Sequence, residues 1–189
     1  MYNIVLLGGI GVGKDYILNM CIKEYNLTKV VTDTTRPIRK GEIDKITYNF
    51  VSDNKFNENL LKNKYIEHKK YNTVEGVWYY GTSKDSIHKN NTIIILDKDG
   101  FLEYKKHIPN CISIYISCID DTERFYRSLN RLEDINIKDV KEVYRRIRTD
   151  EDKFKDIEKI VDVVIPQTYN ETTINLIFNI LDNLGVERR

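Results

Sequence analysis

The fold of this chain is decided by Gly8-Gly9-Ile10-Gly11-Val12-Gly13-Lys14-Asp15. The stretch follows the apolar run Ile4-Val5-Leu6-Leu7 and precedes an amphipathic segment at residues 16–25. A strand, a loop with the spacing G-x-x-x-x-G-K and a helix form the layout of a phosphate-binding P-loop. Glycines let several backbone N–H groups point into one concave space, and the helix that begins there adds the positive end of its dipole. The sequence therefore predicts a phosphate site in which Lys14 supplies a mobile positive charge.

One position departs from the usual P-loop pattern, because Asp15 stands where Ser or Thr ordinarily holds magnesium. A carboxylate is a hard oxygen ligand and also binds this ion, so we expect Asp15 to be a magnesium ligand. The alternative for the whole stretch is a turn that only joins a strand to a helix. A plain turn requires neither four glycines nor Lys14, which favours the phosphate site.

The composition makes several classes of protein improbable. The 189 residues include 30 basic and 29 acidic ones, and the net charge of +1 gives no reason to expect nucleic acid or an anionic membrane as a partner. No run has the apolar length of a membrane helix, and no secretion signal opens the chain. The cysteines Cys21, Cys111 and Cys118 lack metal-ligand spacing and lie in apolar patterns. We therefore expect buried free thiols and a cytoplasmic location.

Apolar strands and amphipathic helices alternate along the chain. The pattern predicts strands at residues 3–7, 29–32, 92–96, 111–117 and 161–165, and helices at residues 14–25, 100–107, 121–132, 138–159 and 171–184. Such alternation predicts an α/β fold of the P-loop NTPase type, with a parallel sheet flanked by helices. Residues 37–85 differ, because they are polar and rich in aromatic residues and their apolar positions occur in short, strand-like runs. This pattern predicts a small inserted antiparallel lobe with a hairpin tip at residues 73–76.

A second anion site is predicted in Thr34-Thr35-Arg36-Pro37-Ile38-Arg39-Lys40-Gly41-Glu42, after the second strand. Ligands of parallel α/β folds collect at this edge of the sheet. Arg36 and Arg39 are kept out of a regular helix by the intervening proline, so their forks can converge on one phosphate group. Tyr48 and Tyr80 add hydroxyl donors that can reach the same anion. The alternatives are a solvated basic loop for the arginines and ordinary packing for the tyrosines.

Several motifs together resemble the guanylate kinase family in order and approximate spacing. They are residues 34–42, Tyr48-Asn49-Phe50-Val51, Tyr65-Ile66-Glu67, Tyr80-Gly81-Thr82-Ser83 and Ile95-Leu96-Asp97-x-Asp99, and the resemblance covers residues 2–180. It implies one domain, 1–189, with a core of about 1–35, 86–120 and 158–189, an NMP-binding lobe of about 36–85 and a lid of about 121–157. It also implies transfer of a phosphoryl group from ATP, with Mg²⁺, to GMP or dGMP, by a monomer or homodimer.

The resemblance assigns roles to residues by position. It implies that ATP is bound by Gly8, Gly11, Val12, Gly13, Lys14, Asp15, Tyr16 and Arg127. It implies that the acceptor is bound by Thr32, Arg36, Arg39, Tyr48, Glu67, Tyr80, Thr82 and Asp99. The catalytic residues that it implies are Lys14, Arg39, Arg131 and Arg146, and the residues at the metal are Asp15 and Asp97. Glu67 is the proposed base-reading residue, because guanine offers two adjacent donors to a carboxylate and adenine lacks that pair.

Each of these roles has a plainer alternative. The alternative for Glu67 is a surface carboxylate beside His68 and nearby lysines, and the alternative for Asp99 is a helix N-cap. The alternative for the arginines between residues 127 and 148 is a charged, solvent-exposed face, on which they pair with Glu123, Glu142 and Asp150. At the level of function, the alternatives are a kinase for another (deoxy)nucleoside monophosphate and a non-catalytic module that binds phosphopeptides. The chain also departs from the family in its longer stretch between Glu67 and Tyr80.

Overall fold

The fold contains a central sheet of five strands and a second sheet of four. The computed structural model describes residues 1–73, 76–87, 90–118, 120–132, 135–168 and 170–189. The strands are β1 (Asn3–Gly8), β2 (Thr28–Lys29), β3 (Asp33–Thr34), β4 (Asn49–Phe50), β5 (Tyr65–Thr73), β6 (Gly76–Ser83), β7 (Thr92–Ile95), β8 (Ile112–Ser117) and β9 (Val163–Pro166). The α-helices are α1 (Lys14–Glu24), α2 (Asp53–Leu61), α3 (Lys98–His107), α4 (Asp121–Leu129), α5 (Ile137–Lys153) and α6 (Asn170–Asn183).

The central sheet has the strand order β2-β7-β1-β8-β9, and its neighbouring strands pair in parallel. Strand β1 is buried on both faces. Ile4 and Leu6 join a cluster with residues of α1 and α6, whereas Val5 and Leu7 join a cluster with Phe101 of α3. A parallel strand covered on both faces requires a continuous apolar run, which explains the sequence of β1. The end of β1 lies at the carboxyl edge of the sheet, where such folds bind ligands.

The second sheet, called the small sheet below, consists of β3 to β6 in the order β4-β3-β6-β5. Strands β5 and β6 form an antiparallel hairpin, and β3 pairs antiparallel with β6 and parallel with β4. Buried Asp33 holds this sheet together, because its carboxylate accepts from Asn49 Nδ2 and from the Tyr65 hydroxyl, each at 2.7 Å. The ring of Phe56 from α2 stacks on Tyr65, with 4.6 Å between the ring centroids.

The predicted fold class is confirmed, since a helix-flanked parallel sheet accompanies a smaller, largely antiparallel one. The predicted strand at residues 29–32 is wrong, because only Lys29 among them belongs to a strand and β3 begins after them, at Asp33. Strand β2 pairs with β7 in the central sheet, and β3 is held in the small sheet by the hydrogen bonds of Asp33. The predicted helix at residues 138–159 ends at Lys153 and is followed by a 3₁₀ turn, Ile157–Lys159. Helix α2 was not predicted.

The predicted hairpin tip at residues 73–76 includes residues 74 and 75, which lie outside the described part of the chain. The assignment of core, NMP-binding lobe and lid to residue ranges stays a prediction. Within the described residues, no helix combines the length and the apolar character that crossing a membrane requires.

Candidate active site

The glycine loop, residues 8–14, joins the buried strand β1 to helix α1. Gly13 is the N-cap of α1 and has a φ of 83°, in the left-handed region that favours glycine because it has no Cβ. A glycine at this position brings no capping side chain to compete for the first N–H groups of the helix. Together with the helix dipole, these N–H groups form a cradle for an anion.

Lys14 folds back over the glycine loop, where its Nζ donates to the carbonyl oxygen of Gly9 at 2.7 Å. Burial lowers the pKa of Lys14 to about 8, and the positive charges of Arg146 and Arg131 lower it further, whereas neighbouring carboxylates, Asp15 foremost, raise it. Two arginines of the predicted phosphate-binding set, Arg131 and Arg146, are therefore close enough to act on the charge of Lys14.

Arg127 is placed differently from those two arginines. Its Nε donates to Glu123 Oε1 at 2.7 Å, one turn earlier on α4. On α5, the Arg145 guanidinium binds both carboxylate oxygens of Glu142, with both distances at 2.8 Å. Arg127 and Arg145 thus make the contacts expected for a charged solvent face, in which arginines pair with neighbouring carboxylates. The predicted contact of Arg127 with ATP stays a prediction.

The remaining residues predicted to bind ATP lie at the start of α1. Val12 is fully buried and packs in the core, so only its backbone is available to a ligand, and the side chain of Tyr16 is half exposed. Asp15 is exposed, and its charge raises the pKa values of Lys29 and Tyr48, although burial dominates at both groups. Asp15 therefore lies next to the glycine loop, near enough to Lys29 and Tyr48 to act on their charge.

Asp15 suits a magnesium ion that arrives with a nucleotide. Mg²⁺ is commonly held by one or two carboxylates, phosphate oxygens and several waters rather than by a complete protein cage. Within the described residues, no group of three or more His, Cys, Asp or Glu side chains is arranged to hold a metal. One exposed carboxylate beside a phosphate cradle is a donor set that fits the predicted ion.

Arg36 forms the buried end of the predicted acceptor site, with only 4% of its surface exposed. Its Nε donates to the Tyr80 hydroxyl at 3.0 Å, and its two terminal nitrogens bind both oxygens of the Glu42 carboxylate, one of them at 2.7 Å. The guanidinium also lies 5.0 Å from the ring centre of Tyr48. Although burial raises the pKa of Glu42, the hydrogen bonds from Arg36 hold that pKa below its usual range.

Arg39 lies at the exposed rim of the same site. Its backbone N–H donates to Glu42 Oε2 at 2.8 Å, and its guanidinium lies over the ring of Trp78 at 5.8 Å. The structure thus brings Arg36, Tyr48 and Tyr80 together and leaves the Arg39 guanidinium outside that group. Glu42 occupies the fork of Arg36, where an anion was predicted.

Glu67 lies buried on β5, with 7% of its surface exposed, and its Oε1 accepts from the hydroxyl of Thr82 at 2.5 Å. Burial raises the pKa of Glu67 to about 7; the negative charge of Asp97 adds to this, whereas the Thr82 bond and Lys69 oppose it. The alternative of a surface carboxylate is therefore wrong. Thr32 lies half-buried just before β3, at the start of the small sheet.

The raised pKa of Glu67 has a measurable consequence for stability. We expect Glu67→Gln to be more stable than the wild-type protein at pH 8 and equally stable at pH 4. The folded wild-type protein holds this proton more tightly than the unfolded chain, so its stability falls as pH rises from 4.5 through 7. The upper limit of the effect is about 3 kcal/mol. Melting temperatures at the two pH values measure it, with exposed Glu103→Gln as the control. An equal difference at both pH values would contradict the expectation.

Asp97 is the N-cap of α3, where its Oδ1 accepts from the backbone N–H of Gly100 at 2.8 Å. Its Oδ2 accepts from the Tyr71 hydroxyl at 2.5 Å and forms ion pairs with Lys69 and Lys153, each at 2.8 Å. Although burial raises the pKa of Asp97, the two lysines hold it well below its usual range. Both oxygens of this carboxylate are thus occupied by donors of the protein.

These contacts bear on two sequence-based interpretations. Asp97 was predicted at the metal; in this structure the ion pairs and the helix cap engage both of its oxygens, and its place at the metal stays a prediction. The alternative interpretation of Asp99 was a helix N-cap. It is wrong, because α3 begins at Lys98 and its N-cap is Asp97. Asp99 lies in the first turn, largely exposed, and accepts from Lys69 Nζ at 2.5 Å.

The sequence reasoning missed residues that complete the site. Lys69 and Tyr71 reach Asp97 from the long stretch after Glu67, and the unusual length of that stretch was the available signal. Two further residues, Arg124 and Asp150, contact the glycine loop from 114 and 140 residues away along the chain. No spacing in the sequence marks that contact.

The central sheet, the glycine loop and Lys14 together define an α/β protein of the P-loop class. Within that class, the chain belongs to the guanylate kinase family, whose family model matches residues 1–184. This confirms the resemblance described above.

Relatives and a solved structure agree with this membership. A guanylate kinase of Helicobacter pylori strain 26695 is 34% identical over 123 residues, which cover 61% of this chain and 58% of that protein. A guanylate kinase of Rickettsia prowazekii is 35% identical over 120 residues, with coverages of 60% and 58%. The match thus spans somewhat more than half the length of these relatives. The crystal structure of guanylate kinase from Anaplasma phagocytophilum superposes with a TM-score of 0.73 at 24% identity, covering 97% of this chain and 85% of that one, and supports the fold.

Proposed function

We propose that this protein transfers the γ-phosphoryl group of ATP to GMP or dGMP, giving ADP and GDP or dGDP. The observation that carries the proposal is the buried Glu67 carboxylate, held by Thr82 within the small sheet. A buried carboxylate is costly unless a ligand supplies donors, and guanine supplies two adjacent ones. The names of the relatives, each a guanylate kinase, support the same acceptor.

In this proposal the phosphate of the acceptor binds at the rim of the Arg36 cluster. Arg36 is fixed by Glu42 and Tyr80, so it forms a rigid wall of the pocket, and the Glu42 carboxylate compensates its charge. The Arg39 guanidinium is exposed and makes the direct, charge-assisted contact. Tyr48, packed against Tyr80 with 5.8 Å between the ring centroids, completes the pocket.

The donor triphosphate binds at the glycine loop in this proposal. Lys14 stabilises negative charge on the phosphoryl group during its transfer. Arg131, just after α4, and Arg146, on α5, add positive charge. Magnesium, held through Asp15, supplies further charge neutralisation when it is bound. Because little covalent chemistry falls to the protein, its contribution is in-line positioning and electrostatic stabilisation. We also propose that the protein works in the cytoplasm, which suits its free cysteines.

A panel of nucleoside monophosphate acceptors, assayed with ATP and Mg²⁺, tests the proposal. Both the wild-type protein and Asp15→Ser are assayed, because the serine variant restores the usual P-loop residue. We expect GMP or dGMP to give the highest kcat/KM. Equal or better turnover of an acceptor without guanine would reject the proposed base, and binding of a phosphopeptide without any phosphoryl transfer would favour the non-catalytic module.

We expect Arg39→Ala to raise the KM for GMP by about tenfold to a hundredfold, the cost of one charge-assisted phosphate contact, with a smaller effect on kcat. Steady-state kinetics with varied GMP at saturating ATP measures the change. Arg148→Ala is the matched control, because Arg148 is an exposed arginine paired with Glu151 on α5. An unchanged KM for GMP in Arg39→Ala would remove this residue from the acceptor site.

A further inference from the structure

Both backbone polar groups of Ile10, in the first half of the glycine loop, are held by side chains from distant helices. The Ile10 N–H donates to Asp150 Oδ2 on α5 at 2.7 Å. The Ile10 carbonyl accepts from Arg124 Nε on α4 at 2.8 Å. The two peptide units on either side of the Ile10 Cα are thus each fixed by one side chain, and α4 and α5 are both attached to the loop.

The two side chains also bind each other, and they are withdrawn from solvent. Arg124 is 5% exposed, its second terminal nitrogen pairs with Asp150, and the first pairs with Asp121 at 2.8 Å. A Cβ on Gly9 would overlap both the Arg124 guanidinium and the Asp150 carboxylate, so glycine is required for this close approach. The arrangement is therefore built into the loop sequence.

The charges of the pair suit a place next to bound phosphates. The Asp150 carboxylate is neutralised by Arg124, so its charge is compensated where a triphosphate would otherwise be repelled. Asp150 accepts a hydrogen bond from the N–H of Ile10. The N–H groups at the start of α1, which form the phosphate cradle, come later in the chain, after Gly13. Asp150 thus supports the loop without taking the donors at the helix start.

The same contact fixes a phosphate-binding arginine. Arg146 and Asp150 lie four residues apart on α5 and share one face of the helix. Lys153, one turn further on the same helix, pairs with Asp97 in the core at 2.8 Å. The docking of Asp150 on Ile10 therefore places Arg146 over the loop, in agreement with its effect on the pKa of Lys14.

We propose that Arg124 and Asp150 are positioning residues for the donor triphosphate. By holding the N–H and the carbonyl group of Ile10, they set the shape of the glycine loop. They also fix α5, and with it Arg146, next to the loop. This inference rests on the proposed function in one respect, namely that the loop binds ATP.

Asp150→Ala is the first test, read by calorimetric titration of ATP and, separately, of GMP. We expect the Kd for ATP to rise by about tenfold, as for loss of one charge-assisted hydrogen bond, and the Kd for GMP to stay within about twofold. Asp150→Asn keeps an acceptor for the Ile10 N–H and is expected to retain most of the ATP affinity. Glu151→Gln, a neighbouring exposed carboxylate paired only with Arg148 among the contacts described, is the matched control.

The double variant Arg124→Leu/Asp150→Ala separates positioning from stability. Replacing a buried ion pair by apolar groups is often neutral or stabilising, so this variant is expected to fold with a wild-type melting temperature and to keep the ATP defect. The inference is overturned if ATP affinity is normal in Asp150→Ala, if ATP and GMP weaken equally, or if the double variant recovers ATP affinity. A wild-type protein that binds ATP but transfers nothing would reject the proposed function alone, because these readouts are binding constants.

Discussion

Replacing Lys14 with alanine is expected to lower kcat by about a thousandfold and to change the affinity for GMP by less than about threefold. Lys14 begins α1 and holds its Nζ on the glycine loop, near Arg131 and Arg146. A lysine in this place stabilises charge that develops on the transferred group, so its loss acts mainly on the transition state. The acceptor residues belong to the small sheet, which explains why GMP binding is expected to survive.

Single-turnover kinetics and a separate titration with GMP distinguish these two effects of Lys14→Ala. Lys23→Ala is the matched control, because Lys23 is an exposed lysine in the last turn of the same helix. We expect the control to behave as the wild-type protein. A turnover number for Lys14→Ala within tenfold of wild type would show that the glycine loop is not the donor site.

Local patterns were sufficient to predict the core of the fold. The glycine loop could be predicted because its strand, its loop and its helix are contiguous, and each has its own signal. Helix α2 was missed because it is short and polar and buries only Phe56 and Asn59, so it shows little apolar periodicity. The passage of the chain from β2 in the central sheet to β3 in the small sheet depends on Asp33 meeting Asn49 and Tyr65, which are distant in sequence.

The candidate site shows the same limit. The motifs alone were sufficient to single out Arg36 and Glu67, whose roles toward an anion and a base stay predictions. The partners of these residues could not be predicted. Glu42, for example, meets the Arg36 guanidinium only because residues 36–42 fold back on themselves. The partners of Asp97 could not be predicted for the same reason, since the lysines that pair with it come from β5 and α5. Which carboxylate is paired and which is available is a property of the tertiary structure.

Replacing Glu67 with glutamine is expected to lower kcat/KM for GMP by about a hundredfold to a thousandfold and to leave kcat/KM for AMP nearly unchanged. An ionised Glu67 offers two acceptor oxygens to the two adjacent donors of guanine. Glutamine offers one acceptor and one donor group, so one guanine donor faces another donor. The loss of charge-assisted bonds in a buried site accounts for the size of the effect.

Kinetics with GMP and AMP at pH 8 measure this change in preference, because Glu67, with a pKa of about 7, is then ionised in the free wild-type protein. The expected advantage of Glu67→Gln in thermal stability at the same pH shows that the loss of GMP turnover is not a loss of fold. Below pH 7, protonation of Glu67 replaces one acceptor by a donor, so wild-type kcat/KM for GMP is expected to fall toward that of the variant. If Glu67→Gln kept the wild-type ratio of GMP to AMP turnover, the base would have to be read elsewhere on the small sheet, and the guanine assignment would lose its main support.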